Sequence, residues 1–175
     1  VKKIFELFDM ELIDLIKQET HGGSMRYVIS RKKQRVISDN VQKILDEEKM
    51  YNLDNIESCL KFKKNCEASK KKLNDLLKKF INDGKKIVGY AATSKSTTIL
   101  NFFNIDQSVI KGIFDTTKNK IGKYSPGKHI PIIDYKYFKT IKPKFIYLFA
   151  WNHKKEIISK EKKLIEKNSF FSHVD

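Results

Sequence analysis

Residues 87–101 read Ile-Val-Gly-Tyr-Ala-Ala-Thr-Ser-Lys-Ser-Thr-Thr-Ile-Leu-Asn, an apolar run that gives way to a hydroxyl-rich stretch opening a helix. A strand followed by such a helix start is a phosphate-binding arrangement, because free N–H groups and the positive end of the helix dipole point at the ligand. Two familiar versions are incomplete here. Read as a P-loop, Gly89 is followed by Ser94-Lys95-Ser96, so Ser stands where the second glycine must let the loop wrap phosphate. Read as a dinucleotide turn, the stretch keeps one glycine of three. What remains is Ser94, Lys95, Thr97 and Thr98 as candidate phosphate ligands, against the plainer reading of a Ser/Thr helix cap with a surface lysine.

Working outward, 87–90, 110–114 and 145–151 are short continuous apolar runs rather than alternating ones. Runs of that kind are buried on both faces, the mark of a parallel sheet with crossover helices, here expected over 97–103 and 154–167. Ligands of such sheets bind at the carboxyl ends of the strands. The second strand ends at Asp115, 26 residues past Gly89, roughly where an acidic side chain binds ribose hydroxyls. After it, residues 116–131 hold Gly122, Pro126, Gly127 and Pro131, which shape a loop carrying Lys120, Tyr124 and His129. A loop of that length in a compact domain is more often functional than filler. The third strand end supplies Asn152.

Upstream, Ile4, Phe5 and Phe8 mark a helix, 12–16 reads as a strand, His21-Gly22-Gly23-Ser24 as a turn, and 25–30 alternates as a second strand. Residues 40–83 keep helical spacing throughout, closed by Asp83-Gly84. Cys59 and Cys66 fall on one face of that pattern, too far apart for a disulfide and too few for zinc, and read as buried thiols of a reducing compartment. The segmentation expected is 1–35 as the end of an upstream domain, 36–84 as a helical connector and 85–175 as the α/β domain.

The 175 residues carry a net charge of +15, which invites a nucleic-acid reading. Of the 36 basic residues, however, only Arg26, Arg31 and Arg35 offer the bidentate fork that reads phosphates and bases, and the lysines spread along helical faces as a solvated surface would. No apolar run reaches the ~20 residues of a membrane span, and no export signal is visible, so a cytoplasmic protein without a membrane partner is expected.

Four motifs in order carry a resemblance: Thr20-His-Gly-Gly-Ser-Met-Arg26; Gly89-Tyr-Ala-Ala with Lys95 and Thr98-Ile-Leu-Asn101; Asp115 with Lys120, Gly122, Tyr124, Pro126-Gly127 and His129-Ile-Pro131; and Ala150-Trp-Asn152 with Glu156-Ile157. Spanning 21–158, they resemble the C-terminal region of the S-adenosylmethionine-dependent sugar C-methyltransferases. The resemblance implies a Rossmann-like parallel sheet with flanking helices, preceded by a helical connector and a short strand pair. It also implies a nucleotide-sugar substrate and an upstream catalytic domain that holds S-adenosylmethionine in a longer parent. No cofactor, metal or catalytic residue is expected in this chain, because the family's Glu-His pair, zinc cysteines and donor glycine loop have no counterpart in it. One departure stands within the motifs: the family's strand usually ends Gly-Tyr-Gly-Ala, and Ala91 replaces the second glycine. Implied substrate contacts are His21, Gly22, Gly23, Ser24 and Arg26 toward the neighbouring domain, Ser94, Lys95, Thr97 and Thr98 on phosphate, Asp115 on a hydroxyl, and Lys120, Tyr124, His129 and Asn152 on the loop side. The alternative is a non-catalytic module whose basic surface docks an acidic partner or nucleic acid.

Overall fold

The computed structural model describes residues 1–141, 143–162 and 169–173. They form two compact units, 1–64 and 65–175. In the first, α1 (Lys2–Glu6) precedes an antiparallel pair, β1 (Met10–Gln18) and β2 (Ser24–Arg31), in register from Met10 opposite Arg31 to Gln18 opposite Ser24. A shift in pairing between Leu12 and Asp14 bends β1. α2 (Asp39–Met50) covers one face, burying Val41 and Ile44 against Leu12 and Leu15. It starts where Ser38 caps it, the hydroxyl accepting the N–H of Asn40 at 3.3 Å.

The connector is not helical throughout. It breaks over 51–55, between α2 and α3 (Ile56–Asn82), where Asn52 takes the left-handed conformation and the Asn55 side chain accepts the N–H of Ser58 at 3.0 Å. Tyr51-Asn-Leu-Asp-Asn55 carries three Asn and Asp residues, which compete with helical hydrogen bonding by capping and turning locally. The cysteines also depart from expectation: on α3 Cys59 is exposed and Cys66 only half-buried, both free. Gly84, at φ +68, terminates the helix as its left-handed cap.

The second unit is a five-stranded, all-parallel sheet in the order β5-β4-β3-β6-β7. Its strands are β3 (Ile87–Tyr90), β4 (Ile110–Asp115), β5 (Ile132–Asp134), β6 (Phe145–Leu148) and β7 (Ser169–Phe171). β5 and β7, three residues each, were not among the strands expected; both are too short to show a period. The expected run over 145–151 stays a strand only to Leu148, since Trp151 to His153 already turn. α4 (Ser94–Phe103) joins β3 to β4, α5 (Phe138–Ile141) lies between β5 and β6, and α6 (Lys154–Lys160) follows β6. The last part of the helix expected over 154–167 lies outside the described residues.

Alternation along β3 decides the layers. Ile87 shares a core with Leu73 and Leu77 of α3, Ile99, Leu100 and Phe103 of α4, and Ile113, Tyr147 and Phe149. Val88 and Tyr90 face the other core, with Phe114, Phe138, Ile146 and Leu148. Gly89 belongs to the first layer, and no side chain fits there: a Cβ would stand 2.6 Å from Phe149 Cε2 and 3.1 Å from Ile113 Cγ1. Among the described residues no helix is long and apolar enough to cross a membrane.

Candidate functional site at the carboxyl edge of the sheet

With β3 central, the chain fills one side of the sheet (β4, β5) and then the other (β6, β7), so the strand order reverses between β3 and β6. That switch point opens a crevice between the loops leaving neighbouring strands in opposite directions. Two segments meet there. From β3 comes the turn 91–93 and the start of α4; from β6 comes the turn Trp151 to His153. Lys95 and Trp151 connect them, the Lys95 ammonium lying 5.0 Å from the indole centroid. Trp151 is backed by His173, ring centroids 4.5 Å apart and edge-on, and His173 Nδ1 lies 2.8 Å from the Tyr147 hydroxyl.

The β3–α4 turn is held by an interlocking set of bonds. Ala91 takes φ +70, the left-handed region that favours glycine. Its N–H donates to Phe114 O at 2.8 Å, and its carbonyl accepts from Thr93 N at 3.1 Å. Thr93 caps α4, its hydroxyl accepting the N–H of Ser96 at 3.1 Å, while the buried Ser96 hydroxyl donates back to Thr93 O at 2.6 Å. Ser96 is thereby structural. Ser94, exposed in the first turn, presents an N–H that helix geometry leaves without an intrahelical acceptor. Lys95 and Thr97 are half-buried and Thr98 exposed, the threonines beginning the second turn.

Asp115, buried at the end of β4, braces that turn from the side. Its Oδ2 accepts the Ala92 N–H and its Oδ1 the Thr117 N–H, both at 2.7 Å. Burial is the largest influence on its carboxyl and opposes ionisation, but the bonds from Thr117 and Ala92 and the Lys120 charge outweigh it and hold the carboxyl below the usual carboxylate range. Lys120 donates to Ala92 O at 2.8 Å and lies 3.7 Å from Asp115 Oδ2. Asp115 and Lys120 therefore share one anchor at the site.

The rest of the loop runs along α4 away from its start. Asn101 Nδ2 donates to Pro126 O at 3.0 Å, Lys128 Nζ to Asn104 Oδ1 at 2.5 Å, and Gly127, at φ +80, leaves its Cβ position to the Asn101 side chain. Asn101 lies seven residues past Ser94, about 10 Å along the axis at ~1.5 Å per residue. Tyr124 pairs with Pro131 and is exposed; His129, at φ +50, is exposed with its N–H on Ser125 O. The structure thus brings together Ser94, Lys95, Asp115, Lys120 and Asn152 around the strand ends, and sets Tyr124 and His129 on the braced loop beyond them. His21, Gly22, Gly23, Ser24 and Arg26 belong to the first unit, on the exposed β1–β2 turn, where three successive residues have positive φ (58, 86 and 120°).

Sequence reasoning missed three residues beside the site. The buried Glu161 carboxylate accepts the Tyr90 hydroxyl at 2.7 Å and the Tyr135 hydroxyl at 2.5 Å. Burial first, and then these bonds to Glu161, push both tyrosine hydroxyls well above their ordinary pKa. Nothing in a Lys/Glu-rich helix marks one glutamate as the buried one. A cavity of about 140 Å³ adjoins the cluster, lined by residues including Ala91, Asp115, Thr116, Tyr135, Glu156 and Ile157. A larger cleft of about 660 Å³ lies at the amino ends, rimmed by Lys85, Lys86, Lys111 and Lys144. It is the carboxyl edge that gathers the motif residues.

The family model described as the C-methyltransferase C-terminal domain matches residues 19–174. The chain belongs to that family. Among curated proteins it is similar to the C-methyltransferase NovU of Streptomyces niveus, 27% identical over 169 residues. The match covers 96% of this chain and 40% of NovU, so the chain spans well under half the length of that relative.

Proposed function

We propose that this chain is the substrate-holding part of a sugar C-methyltransferase: its carboxyl edge binds a nucleotide-sugar, and methyl transfer from S-adenosylmethionine takes place on residues outside it. The observation that carries the reading is the convergence at the switch point of an α4 start with Ser94 and Lys95, the braced Asp115–Lys120 pair, and the Trp151-Asn152 turn from β6. The diphosphate lies at the opening of α4, where Ser94 N–H and hydroxyl, the helix dipole and the Lys95 ammonium meet it. Lys120 adds positive charge behind the turn, and Asn152 offers an amide to the sugar side. Nucleotide and sugar hydroxyls fall to Asp115, Tyr124 and His129. The protein is expected in the cytoplasm, working with an upstream catalytic domain.

Charge favours the same kind of ligand. Residues 65–175 contain 23 Lys and Arg against 10 Asp and Glu, so nearly all the net charge lies in the unit with the sheet. A field of that sign concentrates anionic ligands near the crevice. It also serves the alternative, a module docking an acidic partner or nucleic acid, and hydrogen exchange separates the two. The diphosphate of uridine or thymidine should slow exchange over 94–98 and 116–123 selectively. Protection spread over the lysine-bearing faces of α3, with none at the strand ends, would favour polyanion docking.

A further inference from the structure

The cavity of about 140 Å³ beside the β3–α4 turn has no role in that reading, and its walls are of two kinds. Phe114, Tyr135 and Ile157 give apolar and aromatic surface; Asp115, Glu156 and Thr116 give oxygen acceptors, and Lys160, its ammonium 5.7 Å from the Tyr135 ring centroid, adds a charged donor. Ala91 and Asp115 belong both to this lining and to the turn, so the cavity is continuous with the start of α4. Rings with hydroxyls at the rim and C–H groups on the faces need such a mixture, carboxylates to accept the hydroxyls and aromatic surface to cover the faces.

We infer that this cavity is the subsite for one polyhydroxylated ring of the nucleotide-sugar, either its pentose or its hexose, with Asp115 and Glu156 accepting ring hydroxyls beside the Tyr135 ring. The inference rests on the diphosphate lying at the start of α4. Glu161, by holding the Tyr90 and Tyr135 hydroxyls, fixes the Tyr135 wall; it is a positioning residue.

The test uses the full chain and calorimetric titration with three probes: inorganic pyrophosphate, a nucleoside diphosphate (uridine or thymidine, whichever binds tighter), and its diphosphoglucose. Ile157→Trp fills the cavity, and Glu156→Gln, at an exposed position, alters one acceptor without touching the core. Ile157→Trp should leave pyrophosphate affinity unchanged and weaken a ring-bearing probe about tenfold or more; Glu156→Gln should weaken it about threefold. Equal losses for the diphosphate and the diphosphoglucose place the pentose in the cavity, and loss for the diphosphoglucose alone places the hexose there. Unchanged affinity of both ring-bearing probes for Glu156→Gln and for a folded Ile157→Trp overturns the inference while leaving the diphosphate site standing. A wild-type chain that binds neither pyrophosphate nor the nucleotides overturns both. Should Ile157→Trp fail to fold, Glu156→Gln decides.

Discussion

Lys95 lies over the indole of Trp151, 5.0 Å from its centroid, and so ties the helix after β3 to the turn after β6 across the point where the strand order reverses. Trp151 is the chain's single tryptophan, which makes its emission a direct report on this pair. A nucleoside diphosphate that draws the ammonium onto phosphate should change that emission saturably. Lys95→Met should abolish the change while lowering stability by only about 0.5–1 kcal/mol, the size of an exposed cation–π contact. A response that survives the substitution would place the ligand elsewhere.

Ala91 holds a backbone conformation that costs an L-residue about 1–2 kcal/mol, against a flexibility cost of roughly 0.5–1 kcal/mol for glycine. Ala91→Gly should therefore stabilise the chain by up to about 1 kcal/mol in urea unfolding, and Ala91→Val should destabilise it. A destabilised glycine variant would mean that the turn does not need this geometry.

Asp115 has a carboxyl held below its ordinary range. A lowered folded-state pKa contributes stability that is present above the unfolded value of about 3.9 and is lost as pH falls through the folded one. Asp115→Asn should cost about 2–3 kcal/mol at neutral pH, because an amide cannot accept both the Ala92 and Thr117 N–H groups through its two heavy atoms. The gap between wild type and variant should narrow below about pH 4. A gap that stays constant with pH would show that the charge is not what braces the turn.

Tyr90 and Tyr135 run the opposite way. Their raised values mean stability that is complete below about pH 10, the unfolded tyrosine value, and declines as pH climbs above it. In an alkaline titration these two should ionise only together with loss of the fold. Glu161→Ala leaves two hydroxyls without their acceptor and should cost about 2–4 kcal/mol. Loss of less than about half a kcal/mol would show the cluster to be dispensable.

The parallel sheet was legible in its apolar runs because 87–90 is buried throughout and 110–115 is interrupted only by the exposed Lys111, leaving no sustained polar alternation. β5 and β7 were not, since three residues carry no period and their pairing is decided by β4 and β6. The break in the connector was written in Tyr51-Asn-Leu-Asp-Asn55, but local capping there competes with a strong helical pattern on both sides. At the site, the motif residues of the α4 start and Lys120 could be picked out one by one. Which of them hold structure could not, because Asp115 on Ala92 and Ser96 on Thr93 are long-range or cap bonds that need the fold to exist.

The central claim is that the switch-point edge holds a nucleotide's diphosphate. Calorimetric titration of the chain with the diphosphates of uridine and thymidine, repeated with Lys95→Ala at low and high salt, tests it most directly. The account predicts binding with a shallow salt dependence, weakened about tenfold or more by Lys95→Ala, since a charge-assisted bond there is worth roughly 1.5–3 kcal/mol. Binding that collapses steeply with salt and is indifferent to Lys95 would contradict it, and would return the basic surface to polyanion docking.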